Sequence, residues 1–154
     1  MQIRLAQKQD IPQLLNLLDQ VGEVHHQLRP DIFRPGTQKY DAAALAALLQ
    51  DETRPIYVAE HEGTVAGYCF CVVKEFSSHM WVARREFYID DLCIDETMRR
   101  KGIAQALYDY ALEQAKDRGC NSLTLNVWCG NDSAMAFYQK QGMTPRNILM
   151  EQRL

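Results

Sequence analysis

The chain alternates between two kinds of hydrophobic spacing, and the changeovers divide it into elements. Residues 2–6, QIRLA, alternate apolar and polar side chains as a short strand does. From Asp10 the spacing becomes helical, with Ile11, Leu14, Leu15, Leu18 and Val21 recurring on one face. Asp10 stands where an N-cap belongs, Gln13 follows as in a capping box, and Gly22 comes after the last apolar position as a stop signal. In the segment 25–40, HHQLRPDIFRPGTQKY, Pro30, Pro35 and Gly36 break any long helix into an irregular connection. An Ala-rich helix then runs from Asp41 to about residue 50.

Beyond Pro55 the pattern turns extended. IYVAEHEGTVAGYCFCVV reads as two strands joined at His61-Glu62-Gly63, a hairpin; 76–85 is a polar loop and 86–94 a further strand. A charged turn with a single glycine leads into a helix whose inner face is Ile103, Leu107, Tyr110 and Ala111 and which ends at Gly119, after Lys116 and Arg118. SLTLNV, 122–127, alternates as a strand, 131–142 is a short helix from a polar cap to a glycine, and 148–154 can close as a last strand. No repeat or linker intervenes, so residues 1–154 are expected to form one domain. A hairpin followed by alternating strands and helices implies an α/β fold, a mixed sheet with helices on both faces.

Composition narrows the function classes. At 154 residues with 47% hydrophobic and 24% charged residues, the chain suits an ordinary globular core. A net charge of −3 supplies no global field for nucleic acid or an anionic membrane, so the basic central turn is a local feature. There is no apolar run long enough to span a bilayer and no signal-peptide core in MQIRLAQKQD, which leads to an expectation of cytoplasmic localisation. The five cysteines, Cys69, Cys71, Cys93, Cys120 and Cys129, are odd in number and mostly inside apolar runs, as reduced thiols are. Neither they nor His25, His26, His61 and His79 show metal-ligand spacing, and no metal is expected.

The chemistry concentrates in YIDDLCIDETMRRKGIAQALYDY, residues 88–110. A strand, a basic loop with one glycine and a helix N-terminus in succession make an anion site, because the first helical N–H groups lack internal partners and the macrodipole leaves positive charge there. Gly102 allows close approach to the backbone, and Arg99, Arg100 and Lys101 add full charges. The loop matches neither the P-loop nor G-x-G-x-x-G. It does resemble, as Arg99-x-x-Gly102-x-Ala104, the Arg/Gln-x-x-Gly-x-Gly/Ala signature of the GNAT superfamily of acyl-CoA-dependent N-acyltransferases. A second constellation, Asn131-x-x-Ala134-x-x-Phe137-Tyr138-x-x-x-Gly142-Met143, is similar to the superfamily's other signature and follows in the right order, with Met143 in place of the usual Phe. A proline common in relatives is missing from Asp95-Glu96-Thr97.

The resemblance implies a six- to seven-stranded, mostly antiparallel sheet with a central parallel pair splayed for coenzyme A. It also implies acetyl-CoA as acyl donor and a primary amine as acceptor. Arg100, Lys101, Gly102, Ile103 and Ala104 would offer amides to the pyrophosphate, with the Arg99 and Lys101 side chains around it. Leu92, Cys93 and Ile94 would pair by backbone with the pantetheine arm, and Asn131 would contact that arm or the loop. Tyr138 would stand near the thioester sulfur and protonate the departing thiolate. A base is needed because only a neutral amine attacks. Asp90 is favoured by likeness to small-amine acetyltransferases, with Asp91 or a relayed water as alternatives. By strand alternation Asp90 and Asp91 point to opposite faces, Asp90 sharing its face with Tyr88 and Leu92.

The acceptor, a small amine or a peptide N-terminus, is expected against His25, His26, Tyr40, Tyr68, Phe70 and Asp91, and near Trp81; Asp31 and Glu86 also suit a cation. A covalent route through Cys93 or Cys129 lacks a paired histidine in either motif, so direct transfer is favoured. The competing reading is a CoA-binding module without turnover. A plain nucleotide-phosphate binder is disfavoured because the loop lacks Lys-Ser/Thr. The segment 148–154 offers an edge for a possible homodimer.

Overall fold

The computed structural model describes residues 1–154. Five strands form one sheet in the order β1-β2-β3-β4-β5: Gln2–Leu5, Ile56–His61, Thr64–Phe76, Arg84–Ile94 and Ser122–Leu125. All neighbours are antiparallel except β4 and β5, which run parallel. The helices are α1 (Ile11–Leu28), α2 (Ala42–Leu48), α3 (Ile103–Asp117) and α4 (Asp132–Lys140). The mixed α/β sheet agrees with the pattern, but it has five strands rather than six to seven.

The missing strand is the C-terminal one: residues 144–154 carry no regular structure. Pro145 has no N–H for a ladder, and Ile148, Leu149 and Met150 are all exposed rather than alternating. Ion pairs tether the segment instead, Arg146 to Glu86 at 2.6 Å and Glu151 to Arg29 at 2.7 Å.

Each face of the sheet carries its own core. On one, Tyr57, Cys69, Cys71, Phe87 and Ile89 pack with Ile103, Leu107, Tyr108, Ala111 and Ala115 of α3, and Phe137 and Tyr138 of α4 cover the edge. On the other, Val58, Tyr68, Phe70 and Cys93 pack with Leu14, Leu17 and Leu18 of α1 and Leu45 and Leu48 of α2. A fully buried leucine such as Leu14 or Leu107 contributes about 1.5–3 kcal/mol by its removal from water.

Two helix signals act differently from their sequence reading. The Asp10 carboxylate makes no cap bond to α1. It accepts from the Gln7 N–H at 2.7 Å and from both Arg4 terminal nitrogens at 2.7 and 2.9 Å, and this pairing holds it below its ordinary carboxylate pKa. Gly22 does not stop α1, which continues to Leu28 and so carries His25 and His26. A Cβ at Gly22 would lie 2.9 Å from the Thr37 carbonyl oxygen; the glycine lets the loop after α1 lie directly on the helix.

The β4–β5 pair sets up the site. Its parallel rungs end at Ile89 opposite Leu125, and β5 stops there while β4 continues to Ile94. One residue further, β4 has a bulge: Cys71 faces Ile89 and Phe70 faces Asp91, so Asp90 is the extra residue.

Candidate functional site

The loop after β4 presents backbone rather than side chains. Asp95 accepts from the Thr97 N–H at 2.9 Å to start a single helical turn, Glu96–Met98, and a 3.0 Å bond from Gln20 ties it to α1. Arg100 and Gly102 then take positive φ, 60° and 78°, with Lys101 between them at negative φ. Such alternation turns successive N–H groups into one concavity. The Ala106 N–H is the first to close a helical bond, to the Gly102 carbonyl at 3.0 Å, which leaves the N–H groups of Ile103, Ala104 and Gln105 facing out. Ile103 is buried and anchors the turn, whereas Arg99, Arg100 and Lys101 are exposed around it. A Cβ at Gly102 would meet nothing within 4 Å, so the space before the amides is open. A diphosphate fits this donor set.

Beside the loop, β4 has no partner on its β5 side beyond Ile89. The Asp95 N–H bonds to the Ala66 carbonyl at 2.9 Å, and an antiparallel ladder alternates from there. Cys93 and Asp91 therefore direct their backbone groups to β3, while Leu92 and Ile94 direct theirs into the gap, where an extended pantetheine arm can pair with them. The expectation for Cys93 differs on this point. Its thiol lies in the α1 core, 3.6 Å from the Leu17 carbonyl oxygen, and burial pushes it up to about 12, which suits packing rather than nucleophilic attack.

Tyr138 closes the gap on the α3 side, its ring 6.3 Å from Tyr108 and 5.1 Å from Phe137. Burial raises its phenol well above the ordinary value, so the O–H keeps its proton across the working pH range. Asn131 acts on this position indirectly: its side-chain oxygen accepts from the Ala134 N–H at 3.3 Å and caps α4.

The acceptor side differs most from the sequence reading. The bulge cancels strand alternation, so Asp90 and Asp91 both address the α1–α2 face, whereas Leu92 packs in the α3 core. Asp91 accepts from the hydroxyl of the fully buried Tyr68 at 2.7 Å. Burial raises its pKa above the usual carboxylate value, against the opposing effects of the Tyr68 hydrogen bond and of His25 and Lys39 nearby. Asp90 accepts from the Lys39 ammonium at 2.7 Å and from the Tyr40 hydroxyl at 3.2 Å. Tyr40 stacks on Phe70 with ring centroids 5.7 Å apart, and its oxygen accepts from Arg54 at 2.9 Å. An aromatic wall stands alongside: His25 stacks on Phe33 at 5.0 Å, and Phe33 meets Trp128 edge-on at 5.2 Å. Nδ1 of His26 donates to the Phe33 carbonyl at 2.7 Å and fixes that loop.

The structure thus gathers His25, Tyr40, Asp90 and Asp91, and leaves Tyr68 to act through Asp91 and His26 through the loop. Trp81 does not join them. It follows Phe76, the last rung of the β3–β4 ladder, and packs on it with ring centroids 6.1 Å apart, at the end remote from Asp91. Glu86 is buried between Arg84 and Arg146, and Asp31 pairs with Arg29, so neither is free for a ligand cation. Lys39, Phe33 and Trp128 carry no motif of their own in the sequence; only the polar-aromatic character of 25–40 points toward the first two. Two surface depressions, of about 310 and 280 Å³, lie elsewhere, at Phe76 and Arg84 and at Leu48 and Arg118. The gap described above is an open groove. No helix is long and apolar enough to cross a membrane.

Comparison with known proteins agrees with this fold. The chain is 28% identical over 101 residues to a putative ribosomal protein bS18-alanine N-acetyltransferase of Bacillus subtilis, covering 66% of this chain and 61% of that protein. It is 28% identical over 103 residues to the uncharacterized N-acetyltransferase MJ1207 of Methanocaldococcus jannaschii, covering 66% of this chain and 44% of that protein. The matches thus span less than two thirds of these relatives' length. Among solved structures, a point mutant of the BH1408 protein of Bacillus halodurans superposes with a TM-score of 0.96 at 31% identity, over 100% of this chain and 99% of that one. The aminoglycoside N-acetyltransferase AAC(6')-Iy, solved in complex with CoA, shares the fold at a TM-score of 0.73 and 13% identity, over 99% of this chain and 98% of that one. A model of the acetyltransferase (GNAT) family matches residues 22–143, most of the sheet together with the phosphate loop and α4, and the chain belongs to that family.

Proposed function

We propose that the protein transfers an acetyl group from acetyl-CoA to a primary amine by direct attack. The observation that carries the reading is the β4 bulge, which sets two carboxylates on the acceptor face where the strand pair opens beside the phosphate loop. When bound, the donor supplies an activated thioester. The N–H groups of Ile103 and Ala104 and the charges of Arg99, Arg100 and Lys101 hold its diphosphate. The Leu92 and Ile94 backbone holds the arm, and an N–H of this pair stabilises the oxygen on which charge develops. Asp91 takes the amine proton: its raised pKa places it nearer to neutrality than an ordinary carboxylate and improves it as a base. Asp90, favoured as the base on sequence grounds, is held by Lys39 and Tyr40 and takes the acceptor's cation only where Lys39 yields it, and Tyr138 returns a proton to the leaving thiolate.

The acceptor is a primary amine presented next to a ring or peptide plane that can lie on Phe33 and Trp128. A peptide N-terminus and a small cationic amine both fit, and the bS18-alanine acetyltransferase among the relatives favours the former. The exposed Ile148, Leu149 and Met150 suit contact with a second copy of the chain, which sedimentation equilibrium would show as a concentration-dependent dimer.

The test is CoA thiol release from acetyl-CoA against separate pools of peptides, polyamines, aminoglycosides and amino acids, with a thermal-shift measurement on acetyl-CoA alone. Release with one pool is expected, together with stabilisation of about 2.7 kcal/mol at 100 times the dissociation constant. Stabilisation with no release from any pool would favour a binding module, and no stabilisation would overturn the reading.

A further inference from the structure

Lys39 is the charged group on the acceptor side for which the transfer chemistry has no use. Its ammonium stands 2.7 Å from the Asp90 carboxylate, with the two side chains 46% and 18% exposed. The loop that carries it is pinned on both sides of the lysine. Thr37 lies on α1 at Gly22, Gln38 donates to the Leu15 carbonyl at 3.2 Å and to Asp19 at 2.8 Å, and Tyr40 is held by Phe70 and Arg54. A surface lysine ordinarily swings in solvent, and an isolated exposed ion pair contributes little. Here the backbone on either side is fixed, and the primary amine is delivered to the bulge at the mouth of the gap, beside a second carboxylate. That is the chemistry of an acceptor, supplied by the chain itself.

We propose that Lys39 is an acetylation site of the protein's own reaction: with no external amine present, the Nζ of Lys39 takes the acetyl group in cis. This rests on acetyl-CoA being the donor. The neutral Nζ forms a bond to the acetyl carbon while the carbon–sulfur bond breaks; the nitrogen gives one proton to Asp90 or Asp91, and the thiolate is protonated to free CoA. The products are Nε-acetyl-Lys39 and CoA, with no other reactant consumed. Holding the amine at the bulge replaces a bimolecular encounter by an intramolecular one. The reaction also changes the site, because an acetylated lysine cannot pair with Asp90. The carboxylate is released for an incoming cation, and the unmodified lysine is a built-in competitor for the acceptor's place. The groups facing the ammonium are Asp90, Tyr40 and Asp91. Partial burial acts to lower its pKa, but the bond to Asp90 and the surrounding charge outweigh that and leave it raised. Self-acetylation therefore gains speed as pH rises.

The experiment incubates the full-length protein with acetyl-CoA alone, maps acetyl groups by peptide mass spectrometry, and measures thermal shift on the same samples. Lys8, Lys116 and Lys140, all exposed, report uncatalysed acetylation. Lys39 is expected to exceed them by about tenfold or more, at a fraction unchanged when the protein is diluted, and to lose the excess in Tyr138→Phe. Total acetylation should fall to the background in Lys39→Arg, with its melting temperature retained. A second readout needs no donor: in the protein alone, an amine-labelling reagent should modify Lys39 more slowly than the three reference lysines, and Asp90→Asn should remove the difference. Stabilisation by acetyl-CoA with Lys39 acetylated no faster than the references would overturn the proposal while leaving the donor reading intact. A modified fraction that falls on dilution would overturn the intramolecular route and the proposal with it, as would equal labelling of all four lysines in the unmodified protein. Absence of stabilisation would overturn both readings.

Discussion

The two sides of the β4–β5 gap are built from different material. On the donor side, the groups offered are mostly main-chain amides and carbonyls from one continuous stretch, β4 through the first turn of α3, ringed by the Arg99, Arg100 and Lys101 side chains of that same stretch, together with Tyr138 on α4. On the acceptor side they are side chains from the end of α1, the following loop, β3, β4 and the segment after β5, brought together across up to 103 residues, from His25 to Trp128. Backbone donors are fixed by φ and ψ and tolerate most side-chain changes. Side-chain constellations depend on rotamers and on loops held by single contacts. Substitutions on the two sides should therefore separate cleanly in their effects on the two substrates.

The largest effect is expected at Asp91. Asp91→Asn removes the proposed base and should lower kcat by about 10²–10⁴, with acetyl-CoA binding unchanged by thermal shift. The sign with pH also follows. Asp91 is basic only when ionised, so activity is lost as pH falls through its folded pKa. Because burial raises that pKa, the acid limb of the wild-type profile should lie above the ordinary carboxylate value of about 3.9. For stability, a raised carboxylate pKa favours the folded state when protonated, an advantage lost as pH rises through that pKa. Asp91→Asn should therefore not destabilise the protein at neutral pH. A mutant that keeps its acid limb would assign that limb to another group.

Tyr138→Phe comes next, with a fall in kcat of about 10² and no change in the acid limb, since this phenol stays protonated throughout. In the proposed mechanism it is the donor-side side chain that moves a proton, and the ring packing with Tyr108 and Phe137 should preserve α4 in the variant. Circular dichroism and thermal shift check that separation.

The contrast also explains what could be read in the sequence. The donor side was legible because a local pattern makes a local structure: β-branched strand, basic turn with Gly102, helix. Asn131 likewise caps the one short helix that carries Phe137 and Tyr138. The acceptor side was not legible in the same way. A single bulge at Asp90 overturns the period of two on which the placement of Asp90 and Asp91 rested, and nothing in EFYIDDLCI marks it. The partnership of Lys39 with Asp90 spans 51 residues and depends on α1 running past Gly22, which looked like a stop. Glycine at that position has the form of a helix stop, but its reason is steric, the approach of Thr37. The final strand failed for a related cause. An apolar run after Pro145 suggested pairing, but consecutive exposed residues do not make a ladder.

A backbone lesion sharpens the comparison on the donor side. Gly102→Val puts a β-branched residue at φ 78°, which costs roughly 1–2 kcal/mol and twists the amides away from the diphosphate. Dissociation constants for CoA and acetyl-CoA should rise about tenfold, since 1.4 kcal/mol is one decade. The acceptor KM should stay as it was, and isothermal titration with CoA measures the first part directly.

The smallest and most selective change is the mirror of that one. Gly22→Ala adds a single methyl group on α1, far in sequence from either motif, where it would meet the Thr37 carbonyl oxygen at 2.9 Å. Alanine in a helix interior gains about 0.5–1 kcal/mol over glycine, which offsets only part of a clash with a backbone oxygen, so a modest loss of global stability accompanies the shift. The loop must move, and with it Gln38, Lys39 and Tyr40, whose directional bonds to Leu15, Asp19 and Asp90 span 2.7 to 3.2 Å. The expected result is a few-fold rise in acceptor KM with donor affinity and kcat close to wild type, because a shift of about 1 kcal/mol corresponds to roughly fivefold in binding. A rise in donor Kd of the same size would show that the two sides of the gap are coupled through the Gln20–Asp95 bond, the direct side-chain link from α1 to the phosphate loop. In that case the division between a backbone-built donor side and a side-chain-built acceptor side would describe their origin in the sequence but not their energetics.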